Sequence, residues 1–243
     1  MKEWNIIQKD ITSSTNDDAI AYSEHAQGKK FVVLAEQQIN GRGRRGHSWI
    51  GKKGNLFASL GIVYPLSQCG DLAFIISLAI TQTILELSPQ TDVTIKWPND
   101  VLVRNDKISG ILIEKGANDH LIIGVGVNIV SAPCLDNTTY KATSLKDINI
   151  FIECHDFLKK MINNFDRLLE ENIQHGFAPI RNRWLKYAAG IGKEIKIMQE
   201  QTEKRGIYYG IDDKGWLLLQ KDDKIEKISA GDVFIIKKEY KDK

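Results

Sequence analysis

The sequence FVVLAEQQINGRGRRGHSWIGKKGN, residues 31–55, joins a short apolar run to a basic, glycine-rich loop. The apolar run at 31–35 predicts a buried strand. The loop at 41–55 contains five glycines and five basic residues, and no Asp or Glu occurs between Glu36 and Asp71. Glycine lets backbone N–H groups approach an anion closely, and arginine makes bidentate contacts with phosphate or carboxylate. The loop therefore predicts a binding site for an anionic ligand beside a strand.

Other interpretations of this loop stay open from the residues alone. One is a solvated, flexible basic segment. Another is a nucleic-acid contact, which is weakened by the formal net charge of only +2 and by the lack of a matching basic face elsewhere. The loop also fits the dinucleotide pattern GxGxxG and part of the P-loop pattern, but the helix that both sites need does not follow.

Strand and helix patterns alternate in the first three quarters of the chain. Helical spacing predicts a buried helix at 71–87, capped by Asp71 and too short and too polar to span a bilayer. It also predicts an amphipathic helix at 151–172. Apolar and alternating runs predict further strands at 55–64, 93–97, 108–114 and 121–129.

The pattern changes near residue 190 to short strands separated by turns. Turn residues at 213–215 and 230–232 divide this region. We therefore expect a main domain at 1–187 and a small β-barrel domain at 188–243. The predicted barrel strands lie at 195–198, 206–211, 216–220, 225–228 and 233–236.

The composition is that of a soluble globular protein, with 42% hydrophobic and 26% charged residues. Cys69, Cys134 and Cys154 are far apart and form no CxxC pair, which predicts free thiols in a reducing compartment. The first residues show no signal-peptide pattern. We expect a cytoplasmic protein that binds neither membrane nor nucleic acid. The five histidines have no metal-ligand or triad spacing, so no metal site is predicted.

Five segments resemble motifs of the biotin–protein ligase family, in the family's order. The resemblance covers the chain from about residue 10 to the end, and the arginine loop and KWPND are its most specific parts. The segments are STN at 14–16, the loop at 35–49, KWPND at 96–100, KISGILIE at 107–114 and IGVGVNI at 123–129. Because the STN motif begins at residue 14, the resemblance implies a monofunctional ligase without an N-terminal DNA-binding domain.

The resemblance implies a fold and an activity. The fold is α/β (α+β), a mixed β-sheet flanked by helices and related to class II aminoacyl-tRNA synthetases, followed by a barrel of the Src-homology-three type. The activity is that of a biotin–[acetyl-CoA-carboxylase] ligase, which activates biotin with ATP to biotinoyl-5'-AMP and transfers biotin to a lysine of a biotin carboxyl carrier protein or domain. Mg²⁺ accompanies ATP, and the enzyme acts as a monomer or a homodimer.

Two alternatives to this activity are kept. A lipoate– or octanoate–protein ligase shares the related fold, but its RRxxGGG-type motif is missing here. A non-catalytic biotin-binding module would not need the ATP-side residues that the resemblance places at Lys96, Asp100, Lys107 and Asn128.

The resemblance also assigns roles to individual residues. We expect catalytic roles for Arg44, Lys107, Lys96 and Asp100, with Asp100 as the candidate base for lysine transfer. The ATP or adenylate would be bound by Arg42, Arg45, Trp49 and Asn128. The biotin site would contain Ser14, Thr15, Asn16, Gln38, Gly41, Arg42, Gly43, Arg44 and Lys107.

Several of these residues also have purely structural interpretations. Ser14 or Thr15 would cap a helix, Lys107 would be a turn lysine, and Trp97 would fill the core. His47 stands where the family usually has Arg, which predicts weaker retention of the adenylate unless Arg45 compensates. The composition of the loop predicts that it orders when ligand binds.

Overall fold

The computed structural model describes residues 4–133, 141–199 and 202–236. Its elements alternate strand and helix in the first part of the chain and are strands alone in the last part. In chain order they are β1 (Asn5–Thr12), α1 (Thr15–Ser23), β2 (Phe31–Gln38), β3 (Leu56–Val63), α2 (Cys69–Leu87), β4 (Val93–Lys96), β5 (Asp100–Val103), β6 (Asp106–Lys115), β7 (His120–Val127), α3 (Cys154–His175), α4 (Phe177–Leu185), β8 (Glu194–Gln199), β9 (Thr202–Ile211), β10 (Leu217–Lys221), β11 (Lys224–Ile228) and β12 (Asp232–Ile235).

The first seven strands form one mixed sheet in the order β1-β2-β3-β7-β6-β5-β4. Strands β1 and β2 are parallel and the other pairs are antiparallel. Alternate residues of β2 belong to two different cores: Val32 and Leu34 pack in the main one, while Phe31 and Val33 pack with Ala19 of α1. Both faces of β2 are therefore buried, which explains its continuous apolar run. The predicted mixed sheet flanked by helices is confirmed.

Helix α2 runs through the main core and differs from the prediction at its start. It begins at Cys69, so Asp71 lies in its first turn and Gln68 occupies the cap position. The predicted cap at Asp71 is therefore wrong. The sequence predicted a helix too short and too polar to span a bilayer. Residues 66–87 are in fact long and apolar enough to do so by length and composition. Most of this helix is buried. Its buried residues, Leu72 and Phe74 among them, pack against the sheet and α3, as in a core helix.

The last five strands form an antiparallel sheet in the order β11-β10-β9-β8-β12, so β11 and β12 are its edges. All five strands expected in this region are present, and the closed barrel stays a prediction. The two sheets meet at Trp97, whose indole Nε1 donates to the Gly215 carbonyl at 2.9 Å. Trp97 is 2% exposed, as expected of a core residue. The domain boundary near residue 188 also stays a prediction. Tyr187 and Ala189 hydrogen-bond to Ile95 of β4, so the chain still contacts the first sheet at this point.

Three elements were not predicted from the sequence: β1, β5 and α4. Helix α1 was expected only as one interpretation of the STN segment, with Ser14 or Thr15 as its cap. Strand β5 has only four residues and pairs with β4 and β6. Helix α1 has little amphipathic pattern, since its sequence TNDDAIAYS contains few apolar residues. Cys69 and Cys154 are free thiols, and Cys134 lies outside the described residues.

Candidate active site

A cavity of about 530 Å³ lies against the middle of the mixed sheet. Its walls come from the start of α1, the arginine loop (residues 41–55), the turn between β4 and β5, strands β6 and β7, and edge strand β12 of the second sheet. The structure therefore brings together residues that are far apart in the sequence. The predicted site residues that line the cavity are Ser14, Thr15, Asn16, Gln38, Arg42, Gly43, Arg44, Trp49, Lys96, Asp100 and Lys107.

One end of the cavity is a network of neutral polar side chains. Gln38 Oε1 accepts from the Thr15 amide at 2.8 Å and from the Thr15 hydroxyl at 3.0 Å. The Ser59 hydroxyl lies 2.8 Å from Thr15 Oγ1 and 2.6 Å from Asn16 Oδ1. Since its oxygen is used by Thr15, Gln38 keeps its amide NH₂ group as a donor. Ser14 occupies the cap position of α1 but makes no side-chain cap hydrogen bond, so it is free for the cavity.

Asn16 connects this network to the arginine loop. Its Nδ2 donates to Glu114 Oε2 at 2.6 Å, and the same carboxylate accepts from Arg42 at 3.2 Å. Arg42 also pairs with Asp17, at 2.6 Å and 2.7 Å. These two carboxylates raise the pKa of Arg42 further above its ordinary value, and the Asp17 hydrogen bond is the main cause. Arg42 is thus a permanent cation fixed at the polar end.

The other end holds a group of cations around one carboxylate. Asp100 lies between two lysines: its Oδ1 is 2.7 Å from Lys107 Nζ and its Oδ2 is 3.5 Å from Lys96 Nζ. Burial lowers the pKa of Lys96, and the charge of Asp100 opposes that shift. Two lysines beside one carboxylate leave an excess of positive charge, which favours an anionic ligand.

Arg44 points into the cavity because Asn99 holds it there. Its guanidinium donates to Asn99 Oδ1 at 3.2 Å, and Asn99 Nδ2 donates to the Ile111 carbonyl at 2.7 Å. Burial lowers the pKa of Arg44, although the group stays a cation at any ordinary pH. Asn99 belongs to the KWPND segment, where only Lys96 and Asp100 had been singled out as site residues.

Two glycines make room for the Trp49 indole. A Cβ atom on Gly126 would lie 2.2 Å from Trp49 Cε2, and one on Gly110 would lie 2.9 Å from Cζ3. Lys107 Nζ lies 5.6 Å from the centre of the Trp49 ring. The buried Trp49 Nε1 has no hydrogen-bond partner within the described ranges 4–133, 141–199 and 202–236. A buried unpaired donor at a cavity wall suits a ligand that brings an acceptor.

Strand β12 contributes two residues that the sequence analysis missed, Asp232 and Phe234. The ring of Phe234 lies 5.9 Å from Lys96 Nζ. Asp232 had been assigned to a turn with Ala230 and Gly231, whereas it is the first residue of β12 and pairs with Met198 of β8. The sequence did contain a pattern that could have identified these residues. Asp232, Val233 and Phe234 alternate as in a strand, with Val233 buried in the core and its two neighbours facing the cavity.

Three predicted site residues do not line the cavity. Gly41 is buried at the base of the loop, where its carbonyl accepts from the Trp49 amide at 2.8 Å. Arg45 points to Met198 and Asp232 of the second sheet. Asn128 is 2% exposed and donates to the Thr143 carbonyl at 3.1 Å. Its predicted adenylate contact stays a prediction, as does compensation for His47 by Arg45.

The fold and the cavity together define an α/β protein whose cavity has polar side chains at one end and lysine and arginine side chains at the other. The sequence profile of the biotin/lipoate A/B protein ligase family matches residues 8–128, and that of the biotin protein ligase C terminal domain matches residues 190–235. A biotin–[acetyl-CoA-carboxylase] ligase of Paracoccus denitrificans is 34% identical over 235 residues, which are 92% of this chain and 97% of that protein. The protein of the same name from Mycobacterium tuberculosis is 32% identical over 237 residues, 91% of this chain and 85% of that one.

Solved structures agree. The biotin protein ligase of Aquifex aeolicus in complex with biotin and ATP has a TM-score of 0.83 at 24% identity, covering 96% of this chain and 98% of that one, and supports the fold. The ligase of Leishmania major in complex with biotinyl-5-AMP has a TM-score of 0.65 at 27% identity, covering 93% and 99%. The chain therefore belongs to the biotin protein ligase family, and the family predicted from the sequence motifs is confirmed.

Proposed function

We propose that this protein activates biotin with ATP and transfers the biotinoyl group to a lysine of a biotin carboxyl carrier protein or domain. The observation that carries the proposal is the cavity itself, with a neutral polar network at one end and lysine and arginine side chains at the other. Biotin has the complementary form, because its ureido head is neutral and hydrogen-bonding and its tail is a carboxylate.

The polar end is proposed to bind the biotin head. The Gln38 NH₂ group and the Ser14 hydroxyl are the groups we assign to the ureido group, with Thr15 and Asn16 holding the geometry through Ser59. Arg42 and Gly43 close this end from the loop side. Preorganised donors of this kind favour one orientation of the ligand, so the carboxylate would point to the lysines.

The cationic end is proposed to catalyse adenylation. An oxygen of the biotin carboxylate attacks the α-phosphorus of ATP, the bond to the bridging oxygen breaks, and pyrophosphate leaves. The approaching groups are both anions, so fixed cations stabilise the transition state. We assign this role to Arg44 and Lys107, with Lys96 beside them and Asp100 holding the two lysines.

Mg²⁺ is proposed to arrive with the ATP phosphates. Within residues 4–133, 141–199 and 202–236, the carboxylates that line the cavity are Asp100 and Asp232, and both face cations. Neither is therefore set up as part of a dedicated carboxylate site for the ion. Trp49 is the residue we assign to the adenylate, because it lines the cavity and its buried Nε1 has no partner among the described residues.

In the transfer step, the acceptor lysine nitrogen attacks the acyl carbon of the mixed anhydride, the bond to AMP breaks, and the lysine loses a proton. We propose Asp100 as the acceptor of that proton, since it is a carboxylate at the end of the cavity where the biotin carboxylate is expected.

The experiment that tests the activation step needs no acceptor. The protein is incubated with ATP, Mg²⁺ and labelled pyrophosphate, and biotin-dependent return of the label into ATP is measured. Exchange with biotin but not with lipoate or octanoate supports the proposal. Exchange with lipoate or octanoate instead would favour the related ligases, and biotin binding without any exchange would favour a binding module.

A further inference from the structure

Arg44 and Arg45 are neighbours in the chain but contact different sheets. Arg44 lies in the cavity and donates to Asn99, in the turn between β4 and β5. Arg45 points to the second sheet, where its Nη1 donates to the Met198 carbonyl at 2.8 Å and to Asp232 Oδ2 at 3.1 Å. The short 3₁₀ turn at Arg44–Gly46 separates the two side chains.

The two groups that accept hydrogen bonds from Arg45 are neighbours on the second sheet. Asp232 and Met198 are paired across the ladder between β12 and β8. Strand β12 is an edge of its sheet, so it is open to contact from the loop. One guanidinium nitrogen therefore donates both to a backbone carbonyl and to a carboxylate that the sheet holds side by side.

The backbone at Arg45 gives independent support. Its φ of 53° and ψ of 36° lie in the left-handed region, which a residue with a Cβ atom adopts at a cost and glycine adopts freely. A bulky side chain stays in this conformation when its surroundings hold it there. The contacts of Arg45 with β8 and β12 are those surroundings.

We propose that Asp232 is a positioning residue that acts through Arg45: it holds the arginine loop against the second sheet and so keeps Arg44 turned into the cavity. This assignment deepens the proposed function. It gives Asp232 a role that the sequence did not suggest. For Arg45 it proposes a contact with the second sheet, whereas the sequence led us to expect a contact with the adenylate. The sequence predicts that the loop orders when ligand binds. In this proposal the loop is already fixed at Arg45 before that happens.

Hydrogen–deuterium exchange of the ligand-free, full-length protein tests this without any substrate. The amides of Gly43 and His47 bond within the loop, so their exchange reports its opening. The side chains of Arg45 and Asp232 are 31% and 35% exposed, which predicts a modest effect. We expect Asp232→Asn to speed exchange of the peptide covering 41–49 about two- to fivefold, and Arg45→Gln to do the same.

Three controls make the result specific. Asp232→Glu keeps the charge and should restore most of the protection. The double variant of Asp232→Asn with Arg45→Gln should exchange no faster than either single variant. Asp223→Asn, an exposed aspartate in the turn between β10 and β11, should leave the loop unchanged.

Loop exchange that is unchanged in both Asp232→Asn and Arg45→Gln, or that adds up in the double variant, would overturn the proposal. If Asp232→Asn also loosens β8 and β12, the Arg45→Gln variant decides alone, because it leaves the sheet intact. Failure here leaves the proposed ligase activity untouched, since the measurement uses no biotin or ATP.

Discussion

Lys107 and Asp100 form an ion pair at the cationic end of the site, with Lys107 Nζ 2.7 Å from Asp100 Oδ1. The two residues lie on adjacent antiparallel strands, β6 and β5, whose register shifts between Val101 and Leu102. Lys96, at the end of the neighbouring strand β4, reaches the same carboxylate at 3.5 Å. The positions of the two lysines are therefore set by strand pairing within one rigid sheet.

Lys107→Met should abolish most of the activation step while leaving the fold intact. Loss of one preorganised cation at the developing charge predicts a fall in kcat of about 10²- to 10³-fold. Lys115→Met, at the exposed end of the same strand, is the matched control. Pyrophosphate exchange measured for both variants checks the prediction, and equal activity of the two would contradict the role of Lys107.

Gly126→Ala should disturb the site through Trp49 alone. The added methyl would lie 2.2 Å from Trp49 Cε2, so the indole must move out of its place on β7. We expect a red shift in tryptophan fluorescence and weaker binding of ATP. Gly70→Ala is the control, because a Cβ there has no atom within 4 Å. A Gly126→Ala protein with unchanged fluorescence and unchanged ATP binding would show that Trp49 is not held on this glycine.

Asn16→Ala should weaken the binding of biotin more than the binding of ATP. The substitution removes the donor to Glu114 and the acceptor for Ser59 in the buried network. Loss of one such buried partner costs about 1–3 kcal/mol, and if the whole cost falls on binding, it predicts a rise of roughly 5- to 150-fold in the KM for biotin. The KM for ATP should change little. Asn163→Ala, at an exposed position on α3, is the control. If Asn16→Ala raised the KM for ATP as much as the KM for biotin, the result would argue against a biotin-head site here.

Cys154 should react slowly with iodoacetamide. Burial raises the pKa of this thiol from 9.0 to about 11, so its thiolate fraction at pH 8 falls about a hundredfold. Between pH 8 and pH 10 the rate should keep rising about tenfold per pH unit. Mass spectrometry of the peptide containing Cys154 measures the rate, and the unfolded protein provides the reference. A rate that levels off near pH 9 would show an ordinary, unburied thiol.

Eleven of the predicted site residues line one cavity because the motifs lie on strands, or next to the ends of strands, that the mixed sheet brings together. Lys96 and Asp100 lie at the turn between β4 and β5, and Lys107 lies on β6. The network among Thr15, Gln38 and Ser59 could not be read from the sequence, since its members are up to 44 residues apart and neutral.

The contribution of the second sheet was missed for a different reason. Asp232 follows Ala230 and Gly231, and that pattern indicates a turn as readily as a strand start. Its pairing with Arg45 spans 187 residues of sequence, so no local pattern reveals it. The adenylate contact that the motif predicts for Asn128 stays a prediction; in the structure its buried side chain, just after β7, donates to the Thr143 carbonyl.

The most direct test of the central claim combines both half-reactions. The pure protein is mixed with biotin, MgATP and a biotin carboxyl carrier domain, and the carrier is analysed by mass spectrometry, with Arg44→Ala as the site variant and Lys52→Ala as a loop control. We predict a mass gain of one biotinoyl group on a single carrier lysine, which requires ATP, survives Lys52→Ala and is lost in Arg44→Ala. No gain on the carrier with any of these proteins, although the protein is folded and binds biotin, would contradict the account.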